Sequence, residues 1–184
     1  ENLADWLALR HGLGAGIVEE LLFRGVLYRW SEQLFGTWAA TLISGLVFGA
    51  AHITNPQATL WGAIAIALEA GLLFAVLYAL TRSMWLMIGF HAAWNLTQGS
   101  LFGINVSGSG VGRGFLVSKS GGPDWLSGGV FGMEASALTV AVLVAFARRP
   151  AEHARDARHL LRVLRERGLE PRGERLVVQA LLLV

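Results

Sequence analysis

The chain has 184 residues, of which 54% are apolar and only 15% charged, with a mean hydropathy of +0.51 and no cysteine. A soluble domain carries roughly 25% charged residues, so a water-soluble globule is excluded as the first reading. The missing cysteine excludes a disulfide framework, a zinc–thiolate site and a thiol nucleophile. The charges are unevenly divided. Residues 1–147 hold six Lys/Arg and eight Asp/Glu, formally −2, and residues 148–184 hold nine Arg and five acids, formally +4, which together give the net +2. Residues 33–68 and 83–112 carry no charge at all, and each stretch exceeds the roughly 20 apolar residues that a membrane-spanning helix requires. The expectation is an all-α, multi-pass membrane domain over 1–147 and a basic, cytoplasmic helical tail over 148–184, with no nucleic-acid partner. The chain lacks an initiator Met and a signal-peptide pattern, so further spans are expected upstream of it.

Five hydrophobic helices are predicted in chain order. The first covers about 6–30, ending near Ser31-Glu32-Gln33, and the second starts near Thr37 and runs through His52. The third is predicted from Asn55 as cap and Pro56 as first helical residue, continuing to about Thr81. The fourth covers about Met84 to Leu101. A Gly/Ser-rich stretch then reads as a long loop outside the membrane, and the fifth helix is placed over about Val130 to Ala147, closed by Arg148-Arg149-Pro150. In the tail, an Arg-rich helix precedes a Gly-Leu-Glu-Pro turn and a second apolar run.

Ionisable residues within apolar helices cost about 2.5–3.5 kcal/mol each on insertion scales and usually mark function. This chain has several: Glu19, Glu20 and Arg24 in the first helix, His52 at the end of the second, His91 and Asn95 in the fourth, Glu69 in the third and Glu134 in the fifth. Glu20 and Arg24, four apart, share a face and can pair, either as a structural staple or as part of a site. Glu19 points about 100° away from Glu20, which leaves its carboxylate free. His91 and Asn95 also share a face. Glu69 and Glu134 each read as an ordinary polar contact between helices. A Glu, two His and an Asn spread over three helices are the ingredients of a water-activating site.

The motifs "EELLFRG" (Glu19 to Gly25), "FGAAH" (Phe48 to His52) and "HAAWN" (His91 to Asn95) closely resemble the EExxxR, FxxxH and HxxxN motifs of the CAAX prenyl protease and bacteriocin-processing family, the type II CAAX endopeptidases. They occur in the family's order, and "SGGPDWLSGGVFGMEAS" looks like the region that follows in bacterial members. The resemblance implies a polytopic helical bundle around a conical cavity, in a bacterial plasma membrane. It also implies an intramembrane endopeptidase. Glu19 and His52 would activate a water, His91 and Asn95 would stabilise the oxyanion, and Glu20 and Arg24 would support the site. The substrate would be a membrane-associated peptide or protein, with a prenylated tail, a lipoprotein and a bacteriocin-like peptide all compatible.

A metal-free mechanism suits these residues, because burial makes Glu19 a better base and Asn95 and an N–H-bearing His91 are suitable oxyanion donors. The alternative is zinc held by Glu19, His52 and His91. If the second and third helices crossed the membrane fully, His52 and His91 would lie roughly 15–20 Å apart in depth. The second helix is therefore predicted to stop short or kink, with residues 53–57 dipping into the bundle. Imidazoles more than about 10 Å apart could not share one water. Readings of other classes are a transporter or proton relay and a non-catalytic immunity or scaffold protein built on the same cluster.

Overall fold

Helix accounts for most of the chain, and no strand occurs among the described residues, which in this computed structural model are 3–110, 114–119 and 121–166. Helix α1 (3–35) is widened into a π turn over Leu21–Tyr28 and ends where Gly36 takes a conformation open to few other residues (φ 81°, ψ 172°). The chain then continues as α2 (37–51) and a single 3-10 turn, His52–Thr54. Helix α3 (Leu60–Thr81) has a π turn at Ala67–Gly71, and α4 (84–101) starts at the Ser83 cap and has one at Leu96–Leu101. After a long loop that contains the short turns Asp124–Ser127 and Met133–Ala135, α5 spans Ala137–Glu166.

Three of these boundaries correct the sequence reading. Asn55 does not start α3; it closes the turn His52–Thr54, and its side-chain amide donates to the Ser107 carbonyl at 2.7 Å. Thr59 caps the helix instead, accepting from the Gly62 N–H at 2.9 Å. The fifth helix begins seven residues later than expected, at Ala137, since Gly128, Gly129 and Gly132 all have positive φ and Ser136 supplies the cap to Leu138. It also continues through Pro150 and across the charge boundary at 147/148. A proline inside a helix costs roughly 3 kcal/mol, a penalty that disfavours continuation without forbidding it. The Gly-Leu-Glu-Pro turn and the final apolar run lie outside the described residues.

Close approach of small residues sets the helix packing. Gly12 and Gly16, one turn apart on α1, face α4 so tightly that a Cβ on Gly16 would lie 3.0 Å from the Ala92 nitrogen. Between α2 and α3, a Cβ on Gly49 would lie 2.5 Å from the Ala63 carbonyl oxygen, and one on Gly71 would lie 2.8 Å from the Gly45 carbonyl oxygen. This small-xxx-small spacing is the one that lets helices approach closely without a hydrophobic drive between them. Apolar packing fills the rest, around Tyr28, Leu73, Phe74, Tyr78 and Met87 in one cluster and Phe23, Phe48, Ile66 and Phe131 in another.

The distribution of polarity is inverted relative to a soluble protein. Large apolar side chains are exposed on every long helix, including Val18, Trp38, Leu46, Leu60, Trp85 and Leu138, whereas Glu20, Arg24, Ser44, Glu69, Gln98 and Glu134 are buried. Two helical stretches, Gly12–Thr54 and Leu60–Thr81, are long and apolar enough to cross a membrane. Helical side chains that face outward into hydrocarbon need no polar partner, and those that face inward hold the ionisable groups.

Candidate active site

Register along α1 positions the first half of the site. Gly12, Gly16, Glu20 and Arg24 are spaced four apart on one face, so the close contact of Gly16 with Ala92 carries Glu20 to the neighbouring His91. The Glu20 Oε1 accepts from Arg24 Nη1 at 2.9 Å and lies 2.8 Å from His91 Nδ1. Arg24 is fully buried and its Nη2 donates to the carbonyls of Ala70 and Gly71, both at 3.1 Å, within the π turn of α3. The rings of Phe48 and Phe74 lie 4.6 and 5.2 Å from its guanidinium carbon, so the cation is enclosed by aromatic faces as well as paired. One arginine thus ties α1 to α3, and through Glu20 to α4.

Glu19 faces away from this pair, as its position next to Glu20 on a helix requires. Its Oε2 is 3.9 Å from His52 Nε2 and 3.9 Å from His91 Nε2, and it is buried without a hydrogen-bond partner. The two imidazole nitrogens are therefore at most 7.8 Å apart, twice that distance, inside the limit of about 10 Å set above. His52 Nδ1 lies 2.8 Å from the Phe48 carbonyl oxygen. A carbonyl only accepts, so Nδ1 carries a hydrogen and Nε2 is the atom turned towards Glu19. His91, with Nδ1 on the Glu20 carboxylate, is oriented the same way. The four-residue spacing of Phe48 and His52 now has a local reason: the side chain turns back onto the carbonyl one turn earlier, and the two rings meet at a tilt of 47° with centroids 4.7 Å apart.

Helix α2 does stop, at Ala51, but residues 53–57 do not dip into the bundle. Ile53, Pro56 and Gln57 are exposed, and the segment is held by the loop after α4, with Gln57 N–H donating to the Gly108 carbonyl at 2.9 Å. His52 meets His91 because that loop folds over the end of α2 and because α4 continues through its π turn to Leu101, which puts His91 near the middle of the helix. Asn95, one turn beyond His91, is buried and has no side-chain hydrogen bond among the described residues. A small cavity of about 20 Å³ is lined by His52, His91 and Asn95 together with Glu69, Ser107 and Glu134.

The last two carboxyls were underestimated by sequence. Glu134 lies in a 3-10 turn before α5, not in the helix. Its oxygens accept from Trp94 Nε1, Gln98 Nε2, and the Ser107 N–H and hydroxyl, at 3.3, 3.0, 2.7 and 3.2 Å. Burial pushes its carboxyl above the usual range, against these four bonds, which favour the charged form. Glu134 thereby ties the loop to α4 on either side of Asn95. Glu69 is also not the ordinary polar contact expected: it is buried and makes no hydrogen bond among the described residues.

The donors suit zinc in kind, since a metal-binding histidine typically donates its other N–H to a carboxylate or carbonyl. Glu19, His52 and His91 are the residues that would hold it: Glu19 Oε2 lies 3.9 Å from each Nε2, against about 3.4 Å between ligands bound at 2.0–2.2 Å with tetrahedral angles.

The sequence profile of the type II CAAX prenyl endopeptidase Rce1-like family matches residues 2–97, just over half of the chain. The chain belongs to this family. The matched stretch contains all six of the motif residues, Glu19, Glu20, Arg24, His52, His91 and Asn95. It is thus a member of a family of CAAX-type membrane proteases, whose substrates are membrane-associated peptides or proteins. Glu69 lies within the family match, and Glu134 beyond it. Comparisons with curated proteins and with solved structures gave no match.

Proposed function

We propose that the chain is an intramembrane endopeptidase that hydrolyses a peptide bond of a membrane-associated substrate by metal-free glutamate chemistry. The observation that carries this reading is the placement of Glu19 Oε2, unpartnered and equidistant from two imidazole Nε2 atoms. A water there hydrogen-bonds to Glu19 and His52, and Glu19 accepts its proton as the oxygen attacks the carbonyl carbon. The oxyanion is met by the Asn95 amide and by His91, which Glu20 orients through Nδ1. Glu19 then returns its proton to the leaving nitrogen. Glu20 and Arg24 are positioning residues.

The exposed apolar belt supports a polytopic bundle, with Gly36 separating two crossings, and the nine arginines after residue 147 support a cytoplasmic tail. We read residues 1–147 as the membrane domain, in a bacterial plasma membrane. Prenylated, lipoprotein and bacteriocin-like substrates all remain compatible. The test compares new peptide termini in membranes from cells that express the wild-type chain or Glu19→Gln. Loss of the general base lowers the rate by about 10²–10⁴, so termini present with the wild type should vanish with the variant. Identical termini would overturn the protease reading, and stoichiometric zinc required for turnover would overturn the metal-free one.

A further inference from the structure

Glu69 is the buried acid that this chemistry leaves unused, and its surroundings point to the substrate. It lies at the centre of the π turn Ala67–Gly71, the same turn whose last two carbonyls hold Arg24. A π turn inside a helix occurs frequently at functional sites. The residue is 1% exposed, yet its carboxyl makes no hydrogen bond among the described residues and Oε2 is fully enclosed without a partner. Glu134, in the wall of the same cavity, provides the contrast, for four donors converge on it. Burying an unsatisfied polar group is unfavourable, so an apolar residue at 69 would suit the fold better. A destabilising group in the wall that also carries His52, His91 and Asn95 is explained if its partner arrives from outside.

The chemistry of that partner follows from the setting. A peptide segment drawn into an apolar cavity brings backbone N–H groups that have lost water and need an acceptor. The cavity wall otherwise offers imidazoles, an amide already assigned to the oxyanion, the Ser107 hydroxyl engaged with Glu134, and a carboxylate already saturated. We propose that Glu69 is a substrate-contacting residue whose carboxyl oxygen accepts a hydrogen bond from a backbone N–H of the peptide flanking the scissile bond. This rests on the endopeptidase reading and adds to it a determinant of binding.

The test uses the full chain in detergent micelles and an internally quenched peptide that the wild type cleaves and Glu19→Gln does not. Glu69→Leu should raise Tm and raise KM about tenfold with kcat within threefold, whereas Glu69→Gln, which keeps an acceptor oxygen, should stay within threefold of wild type in both. Replacing single flanking amides of the peptide by esters, which removes one N–H at a time, should raise the wild-type KM at one position and leave Glu69→Leu indifferent there. A lower Tm for Glu69→Leu would show a structural role and overturn the proposal. So would a KM within twofold of wild type, or a loss of kcat in Glu69→Gln that signals proton transfer. If every peptide that the wild type cleaves is also cleaved by the Glu19→Gln form, the endopeptidase reading itself fails, independently of Glu69.

Discussion

Replacing Arg24 by Leu tests the keystone of the site. The substitution removes a guanidinium that is fully buried, leaves Glu20 with one remaining partner, His91, and strips two carbonyls in the α3 π turn of their side-chain donor. Breaking a buried ion pair from one side costs about 3–5 kcal/mol, and each orphaned buried polar group adds about 1–3 kcal/mol unless water reaches it. A loss of about 4 kcal/mol or more is expected, measured by reversible unfolding in bicelles. Glu20→Gln should cost about 3 kcal/mol, because Arg24 is then the unpaired charge. The double variant removes both charges and keeps an amide oxygen for His91, so it should be little worse than Arg24→Leu alone. The resulting coupling is about 3 kcal/mol, near the top of the range for residues in contact. Additivity within about 0.5 kcal/mol, the behaviour of independent sites, would refute the claim that one charge pair organises α1, α3 and α4.

Three other outcomes follow from the geometry. Gly49→Ala places a methyl 2.5 Å from the Ala63 carbonyl oxygen and 2.6 Å from the Ala67 Cβ, and should cost about 1–3 kcal/mol as overpacking does, read as a fall in Tm; Gly89→Ala, with nothing within 4 Å, is the control and should not lower it. Arg82 and Glu32 form a two-pronged pair on the surface, and the carboxylate holds the arginine above its ordinary value. Because Arg82 is half exposed, Arg82→Ala should cost less than about 1 kcal/mol and lose its effect in high salt; a larger, salt-independent loss would contradict that. Glu134→Leu leaves Trp94, Gln98 and Ser107 without their acceptor, so it should lower both Tm and activity, in contrast to Glu69→Leu, which should lower activity alone.

The sequence revealed the part of the site that depends on local spacing. Four-residue intervals on a helix place Glu20 beside Arg24 and set Glu19 apart from Glu20, and both relations hold in three dimensions. The ends of α3 and α4 were legible for the same reason, since the apolar runs stop at charged or capping residues. What failed depended on distant contacts. Asn55 has the composition of a helix cap, but the Ser107 carbonyl, 52 residues away, takes its amide. Glu134 looked like one more polar residue in an apolar helix until three glycines with positive φ delayed α5 and turned it towards Trp94 and Gln98.

Glu69 is the most instructive case, because its significance lies in a missing partner, which no spacing rule can express. In the sequence, Glu69 and Glu20 are alike, an acid within a helical apolar run. The fold separates them by what reaches each carboxyl: Arg24 and His91 for Glu20, and no donor among the described residues for Glu69. A helical bundle can satisfy an inward-facing acid only by bringing another helix's donor to it, and here α3 brings its acid to a cavity instead. The stability cost of that arrangement and its use in binding are therefore two readings of a single geometry, and Glu69→Leu separates them by moving Tm and KM upward together.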